Sequence, residues 1–429
     1  MNQWLKNLFR ISSNNAAHFV PSNYDKLTRP QLIAKIKALE DQLSAKTYPL
    51  KHGKSRPFDM TQYGQQRIAL KVAYLGWNYS GFAAQGDELK TPTVEGQIFK
   101  ALQACKLITH PDQCNFTRCG RTDKGVSGVG QVIALNVRSS HSKHGSSSST
   151  TATLPYIEIL NRLLPDDIRI LAWAPVDRSF NARFDCKSRT YKYFFQKGAL
   201  DLELMRKAAS FMMGSHDFRN FCRLDPSKNI TNYERTVVSL DIEPAIAAGS
   251  NNAFYQVELK GTAFLWHQVR CIMAILFLVG QKLEKPEIVR ELLDINTFPA
   301  RPEYPMASDL PLLLYDCEFD DIRWIYANQD DQKDVKIPTP VRTWRHFNEF
   351  RSEHVIKSLL YKTCIDEIEA MPTFSDYPEY EQSEILLGAG KSIRTSHYKH
   401  LKDRPLADSD QVKKEKYRIK QLKKSREIK

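Results

Sequence analysis

Short strand-like and helix-like segments alternate from about Arg67 to Arg323, and this alternation limits the fold classes open to the chain. Ile68, Leu70, Val72 and Tyr74 recur at every second position, as in a half-buried strand. The same reading predicts strands at 132–138, 191–195, 237–242 and 254–259, and helices from Thr93, at 202–213 and at 268–283. Strands and helices mixed in two similar halves predict an α+β fold.

The core and its C-terminal extension differ in composition. We place the first half of the core at 66–176 and the second at 177–325. A Ser-rich insert at 139–152 interrupts the first half and is predicted to be disordered. Residues 326–429 are a polar, charged extension that ends in a basic tail.

The N-terminal region is predicted as a flexible tail, 1–27, followed by a short helix or coiled coil, 28–47, with apolar residues in an a/d rhythm. Residues 1–19 contain Lys6, Arg10, several Ser and no acidic residue, which is weakly typical of a mitochondrial presequence. The alternative is an unstructured tail. We expect a protein of the nucleus and cytoplasm, with mitochondrial targeting as the second interpretation.

Charge and hydropathy indicate the kind of partner. Sixty-two Lys and Arg exceed 49 Asp and Glu, giving a net charge of +13, and the last 17 residues hold nine of those cations against two Glu. A basic surface attracts phosphates, although charge alone does not separate nucleic acid from an anionic membrane surface. The longest apolar stretch, ten residues from Cys271, is half the length that a membrane-spanning helix needs, so we expect no membrane insertion.

Eight cysteines are scattered along the chain with no CxxC pair and no Cys/His spacing of the zinc type. They stand at positions 105, 114, 119, 186, 222, 271, 317 and 364. This spacing predicts neither a metal site nor disulfides, and it fits a reducing compartment.

The segment from Arg118 to Ser127, RCGRTDKGVS, places one carboxylate, Asp123, among cations and between glycines. Neighbouring Arg and Lys favour an ionised carboxylate, which a nucleophile or base requires. The same cations suit phosphate binding. From composition alone, a surface loop with a salt-bridged Asp is the alternative.

Seven motifs in order, however, resemble the TruA-type tRNA pseudouridine synthases. They are YLGWNYSGFAAQ with TVEGQ from Tyr74, GRTDKGVSGVGQV from Gly120, NRLLPDDI from Asn161, FNARF from Phe180 with RTYKY from Arg189, GSHDF from Gly214, RT from Arg235 and AFLWHQVR from Ala263. Asn181 stands where this family has His. The resemblance implies the pseudouridine synthase fold, two α/β halves with a joined antiparallel sheet and a central basic cleft.

The resemblance also implies roles for individual residues. Asp123 matches the catalytic aspartate, Tyr191 the tyrosine that stacks on the target base, and Arg270 the basic partner expected to pair with Asp123. Arg118, Arg121, Lys124 and Arg183 are the candidate RNA-binding residues, beside Tyr191. For Tyr193, His216 and His267 we expect packing or structural hydrogen bonding. No cofactor and no metal are implied.

The segment 301–319 is similar to the branch that modifies uridines 38 and 39 of the tRNA anticodon stem-loop. The resemblance therefore implies a synthase that acts at uridines 38 and 39 of tRNA, with the anticodon stem-loop as its partner. It also implies a homodimer, as is usual in the family, which the sequence itself does not show. A synthase acting at other tRNA positions and a non-catalytic tRNA-binding or folding module are the alternatives. A nucleotide hydrolase is disfavoured, because no P-loop or metal-ligand spacing is present.

Overall fold

The computed structural model describes residues 28, 58–85, 90–142, 154–225, 230–245, 253–326, 338–372, 383–408 and 410–427. Apart from Thr28, Phe58 and Asp59, they belong to one unit, Met60–Lys429. The predicted tail 1–27, the predicted helix 28–47 after Thr28, and residues 143–152 of the predicted insert lie outside the described residues.

Nine strands of the described chain form one mixed sheet. They are β1 (Tyr63–Tyr74), β2 (Thr117–Arg118), β3 (Ser127–Ser142), β4 (Ile168–Pro175), β5 (Ser188–Gln196), β6 (Gly214–Asp217), β7 (Glu234–Pro244), β8 (Phe254–Gly261) and β9 (Leu312–Glu318). Their spatial order is β4-β1-β3-β9-β5-β8-β7-β6, and β2 pairs with β3 beside this path. The five strands predicted from alternation are confirmed as parts of β1, β3, β5, β7 and β8.

The joint between the two halves of the sheet is parallel. In it, β3 lies beside β9 with Ser127 opposite Leu313 and Gly128 opposite Leu314. The other neighbouring strands pair antiparallel. The predicted antiparallel sheet is therefore correct within each half and wrong at the joint, because β9 returns from the end of the second half in the direction of β3. A Cβ on Gly130 would lie 2.2 Å from the Tyr315 carbonyl oxygen, so this approach requires glycine.

Strand β3 is longer than the sequence predicts. It continues to Ser142, so the first four residues of the predicted disordered insert, 139–142, belong to the strand. Ser142 pairs with Tyr63 of β1 after an irregularity in the register. Serine composition predicts a loop, but pairing with a neighbouring strand overrides that weak preference.

Seven helices of the described chain accompany the sheet. They are α1 (Val94–Ala104), α2 (Tyr156–Asn161), α3 (Leu202–Ser210), α4 (Gln268–Gly280), α5 (Ile288–Leu293), α6 (Thr339–Glu369) and α7 (Asp410–Glu427). The apolar stretch noted in the sequence is the body of α4, in which every residue except Arg270 is buried. No helix within the described ranges combines the length and apolarity needed to cross a bilayer.

Part of the C-terminal extension packs on the second half. A hairpin of β10 (Ser383–Gly388) and β11 (Lys391–Thr395) contributes Ile385 to the core that surrounds α4. The Tyr193 hydroxyl donates toward two backbone carbonyl oxygens, that of Ser308 at 3.0 Å and that of Leu387 at 3.3 Å. The packing role expected for Tyr193 is thus confirmed, and its side chain is fully buried.

Candidate active site

Asp123 lies in the loop between β2 and β3. The loop turns sharply: the N–H of Val126 donates to the carbonyl of Asp123 at 3.2 Å, and Gly125 has a φ of +80°. Gln131 on β3 closes the other end of the loop by exchanging two hydrogen bonds with the backbone of Gly120. The carboxylate is therefore presented from a backbone fixed on both sides.

The end of β1 and the segment that follows it form hydrogen bonds with this loop. The Tyr74 hydroxyl lies 2.9 Å from the Thr122 hydroxyl, and both side chains are buried. The N–H of Phe82 donates to the Thr122 carbonyl at 3.1 Å, and that of Gly125 to the Tyr79 carbonyl at 3.3 Å. The motif beginning at Tyr74 thus holds the loop in place.

Two residues at the start of α4 contact the Asp123 carboxylate. The indole N–H of Trp266 donates to Oδ1 at 3.1 Å, and Nε2 of His267 lies 3.5 Å from Oδ2. The carboxylate keeps 28% of its side-chain surface exposed, so it stays accessible while these two residues hold it. Sequence analysis missed Trp266 as a site residue, although it lies within the AFLWHQVR motif.

His267 is neutral at physiological pH. Burial, followed by the charges of Arg270, Arg223 and Arg301, lowers the pKa of its imidazole to about 4. Its ring stacks on Trp266 at 4.3 Å, and its backbone adopts a left-handed φ of +62°. Strained backbone of this kind clusters at functional sites. The structural role expected for His267 therefore involves the Asp123 carboxylate, which its side chain contacts.

Tyr191 lies on β5, half-buried, and packs edge-to-face on Phe264 with ring centres 5.1 Å apart. Burial raises the pKa of its phenol well above the usual value, and the nearby Cys317, Cys119, Tyr74 and Asp123 raise it further. The phenol is therefore protonated at neutral pH and lies within electrostatic range of Asp123.

Arg270 contacts the Asp123 loop indirectly, through the side chain of Asp309. Its Nε donates to the Ala307 carbonyl at 2.8 Å, and a terminal nitrogen lies 3.7 Å from the Asp309 carboxylate. Asp309 packs on the loop, since a Cβ on Gly125 would lie 2.1 Å from its Oδ2. These contacts bring Arg270 to the Asp123 loop, and a direct Asp123–Arg270 pair stays a prediction.

The predicted RNA-binding cations divide into two groups. Arg118 is half-buried and forms an ion pair with the buried Glu95 at 2.8 Å. Burial lowers the pKa of its guanidinium, and the charges of Arg121 and Arg183 act in the same direction against Glu95. Arg121, Lys124 and Arg183 are exposed. Arg118 thus supports the fold, while the other three face solvent at the loop.

Asn181, where the sequence departs from the family motif, caps the turn that presents Arg183. Its side-chain oxygen accepts from the N–H of Arg183 at 3.0 Å, and its own N–H donates to Asp185. His216 has a comparable local role, since its Nε2 lies 2.7 Å from the Met213 carbonyl oxygen. The structural interpretation of His216 is consistent with this contact.

Three cysteines that are far apart in the sequence lie close together near the Asp123 loop. Cys119, Cys186 and Cys317 are buried, and their sulfur atoms lie within 4.8 Å of one another. The prediction of no metal site depended on sequence spacing, which does not report contacts made across the sheet. These are the residues of the described chain that could hold a metal ion.

Comparison with known proteins identifies the family. A family model described as tRNA pseudouridine synthase matches residues 208–320. The chain is 44% identical to the tRNA pseudouridine(38/39) synthase of Saccharomyces cerevisiae, covering 84% of this chain and 80% of that protein. The human protein of the same name is 38% identical, with 82% and 76% covered. A tRNA pseudouridine synthase A of Methanosarcina barkeri is 31% identical, with 61% and 88% covered.

In this mixed sheet an aspartate loop lies near the half-buried Tyr191, and the relatives that share the sequence are enzymes. The chain belongs to the tRNA pseudouridine synthase family, of the TruA type whose motifs it carries.

Proposed function

We propose that this enzyme isomerises uridine to pseudouridine at positions 38 and 39 of the tRNA anticodon stem-loop, with Asp123 as the nucleophile. The names of the yeast and human relatives support the positions. The observation that carries the proposal is the Asp123 carboxylate, fixed by the Trp266 N–H and within electrostatic range of Tyr191.

The reaction breaks the C1′–N1 bond of uridine, turns the base and joins C1′ to C5. The C5 proton leaves and N1 gains one, so atoms and electrons balance without a redox partner. The carboxylate of Asp123 either attacks C1′ or removes the C2′ proton to give a glycal. Both routes need an ionised carboxylate, and a charge-assisted hydrogen bond from Trp266 favours that form.

Tyr191 supplies a flat face for the uracil ring and a protonated hydroxyl beside it. Because its pKa is raised well above the usual value, the phenol acts at neutral pH through stacking and hydrogen bonding rather than as a phenolate base. Arg270 acts on the loop through Asp309 and helps to position Asp123.

A uridine in or beside a paired stem must be flipped out to reach Asp123, which costs about a few kcal/mol of stacking and pairing. Phosphate contacts from the exposed Arg121, Lys124 and Arg183 supply binding energy near the loop. A second basic region is a pocket of about 540 Å³ whose lining includes Arg219, Arg223, Arg301, Lys413 and Lys414. Two of these residues, Arg223 and Arg301, lie close enough to His267 for their charges to lower the pKa of its imidazole.

The test is tritium release from 5-tritiated uridine in a tRNA transcript that carries U38 and U39. We expect release by the wild type and none by Asp123→Asn, with tRNA affinity kept within about tenfold because the carboxylate acts on the reacting bonds. Asp112→Asn, an exposed carboxylate away from the site, is the matched control. Turnover retained by Asp123→Asn contradicts the proposal.

Transcripts with U38 or U39 replaced by cytidine assign the position. Release from unfractionated tRNA but not from the U38/U39 transcript would favour the alternative of other tRNA positions. Tight binding without release from either substrate would favour a tRNA-binding or folding module.

A further inference from the structure

Three chain segments meet at a cluster of thiols beside the Asp123 loop. Cys119 follows β2, Cys186 precedes β5 by two residues, and Cys317 lies in β9. All three are free cysteines with 3%, 8% and 6% of their surface exposed. Their sulfur atoms lie within 4.8 Å of one another. We propose that Cys119, Cys186 and Cys317 bind a thiophilic metal ion, Zn²⁺ or Cu⁺.

The geometry fits such an ion. Zinc–sulfur bonds of about 2.3 Å in a tetrahedral site place the sulfurs about 3.8 Å apart. The cluster reaches that spacing with shifts of about an ångström or less from its 4.8 Å limit. Thiolate sulfur is the ligand type that selects zinc and monovalent copper over harder cations. Three sulfurs complete a trigonal copper site, whereas zinc takes one more ligand.

The surrounding charge also fits. The Arg189 guanidinium donates to the carbonyl oxygens of Cys119 at 3.2 Å and Cys186 at 3.4 Å. It lies within electrostatic range of all three sulfurs. Three thiolates on Zn²⁺ carry one net negative charge, which this cation compensates, so the zinc site is neutral as a whole. On Cu⁺ they carry two negative charges, of which the arginine compensates one.

The cluster connects the two residues assigned to the chemistry. Cys119 stands four residues before Asp123, and Cys186 stands five residues before Tyr191. Cys317 belongs to β9, the strand that joins the halves. An ion held here ties the loop, the start of β5 and the joint together. Its role is to fix positions, since the sulfurs replace neither Asp123 nor Tyr191 in the proposed reaction.

The first experiment measures the metal content of the full-length chain, purified without chelators from zinc-supplemented cells. We expect about one equivalent of zinc per chain, falling at least tenfold in Cys186→Ser and Cys317→Ser. Cys114→Ser, a buried cysteine outside the cluster, and Cys364→Ser, an exposed one, are controls that keep the metal. These readouts do not depend on the proposed tRNA reaction, so the two proposals fail separately.

A second measurement keeps the proposal testable if the cluster variants do not fold. Co²⁺ added anaerobically to the reduced wild-type chain should give sulfur-to-cobalt charge-transfer absorption, lost on displacement by Zn²⁺. A parallel titration with Cu⁺ against a copper chelator tests the trigonal alternative. Binding of either ion by thiolate supports the proposal. No metal on purification and no thiolate band with any of these ions would overturn it, as would a disulfide between two of the three cysteines in intact-mass analysis.

Discussion

The indole N–H of Trp266 donates a hydrogen bond to Oδ1 of Asp123 across 143 residues of chain. It orients a carboxylate from the first half of the sheet with a side chain from the second. Trp266 stands directly before His267, whose left-handed backbone starts α4. The orientation of the proposed nucleophile therefore depends on contact between the halves.

Trp266→Phe should lower kcat by about tenfold to a hundredfold with little change in KM. An aromatic ring is kept while a hydrogen bond to a charged group is lost, which is worth about 1.5–3 kcal/mol. Steady-state tritium release at several tRNA concentrations measures both parameters, and Trp344→Phe on the exposed face of α6 is the control. An unchanged kcat would show that the indole does not orient the carboxylate.

Gly125→Ala should inactivate the enzyme, whereas Gly120→Ala in the same loop should not. Position 125 combines a φ of +80° with a Cβ position 2.1 Å from Oδ2 of Asp309. A Cβ added at position 120 would meet no heavy atom of the described chain within 4 Å. The strain at position 125 costs about 1–3 kcal/mol and displaces Asp309 from Arg270. Thermal melting and tritium release of both variants provide the comparison, and equal behaviour of the two would refute it.

His267 should make the protein less stable as the pH falls from 6.5 to 4. In that range the unfolded imidazole binds a proton and the folded one, with a pKa of about 4, does not. The unfolded state then holds more protons, so the free energy of unfolding decreases by up to about 3 kcal/mol. Urea denaturation from pH 4.5 to 7.5 should show a flatter dependence for His267→Gln, while the exposed control His397→Gln follows the wild type. If the free energy of unfolding depended on pH equally in His267→Gln and His397→Gln, the result would contradict a buried neutral imidazole.

Deleting residues 413–429 should weaken tRNA binding and flatten its salt dependence. Helix α7 is anchored where Lys414 donates to the Ile230 carbonyl at 3.3 Å, beside the basic pocket. Each lost phosphate contact should reduce the slope of log K against log salt by about 0.7–0.9. Filter binding at several salt concentrations measures the slope, and a melting curve checks the fold. An unchanged slope would instead assign the tail to targeting.

Local pattern predicted five strands and three helices of the described chain, and ordered motifs predicted the candidate residues. Strand β1 was predictable from the alternation around Leu70 and helix α4 from its apolar stretch, because both patterns lie within a few consecutive residues. Long-range pairing was not readable in this way. The ion pair of Arg118 with Glu95, the Trp266 contact and the thiol cluster join residues whose proximity depends on the completed sheet. The parallel pairing of β3 with β9 was not predicted, for the same reason.

The parallel joint has a consequence for how the molecule matures during synthesis. Its paired residues, Ser127 and Leu313, are separated by 186 positions, and Asp309 reaches Gly125 only when this pairing has formed. A ribosome makes about 5–20 residues each second, so the Asp123 loop waits about ten seconds or more for the strand that completes its surroundings. The nascent chain therefore gains its reactive geometry late, after both halves have emerged.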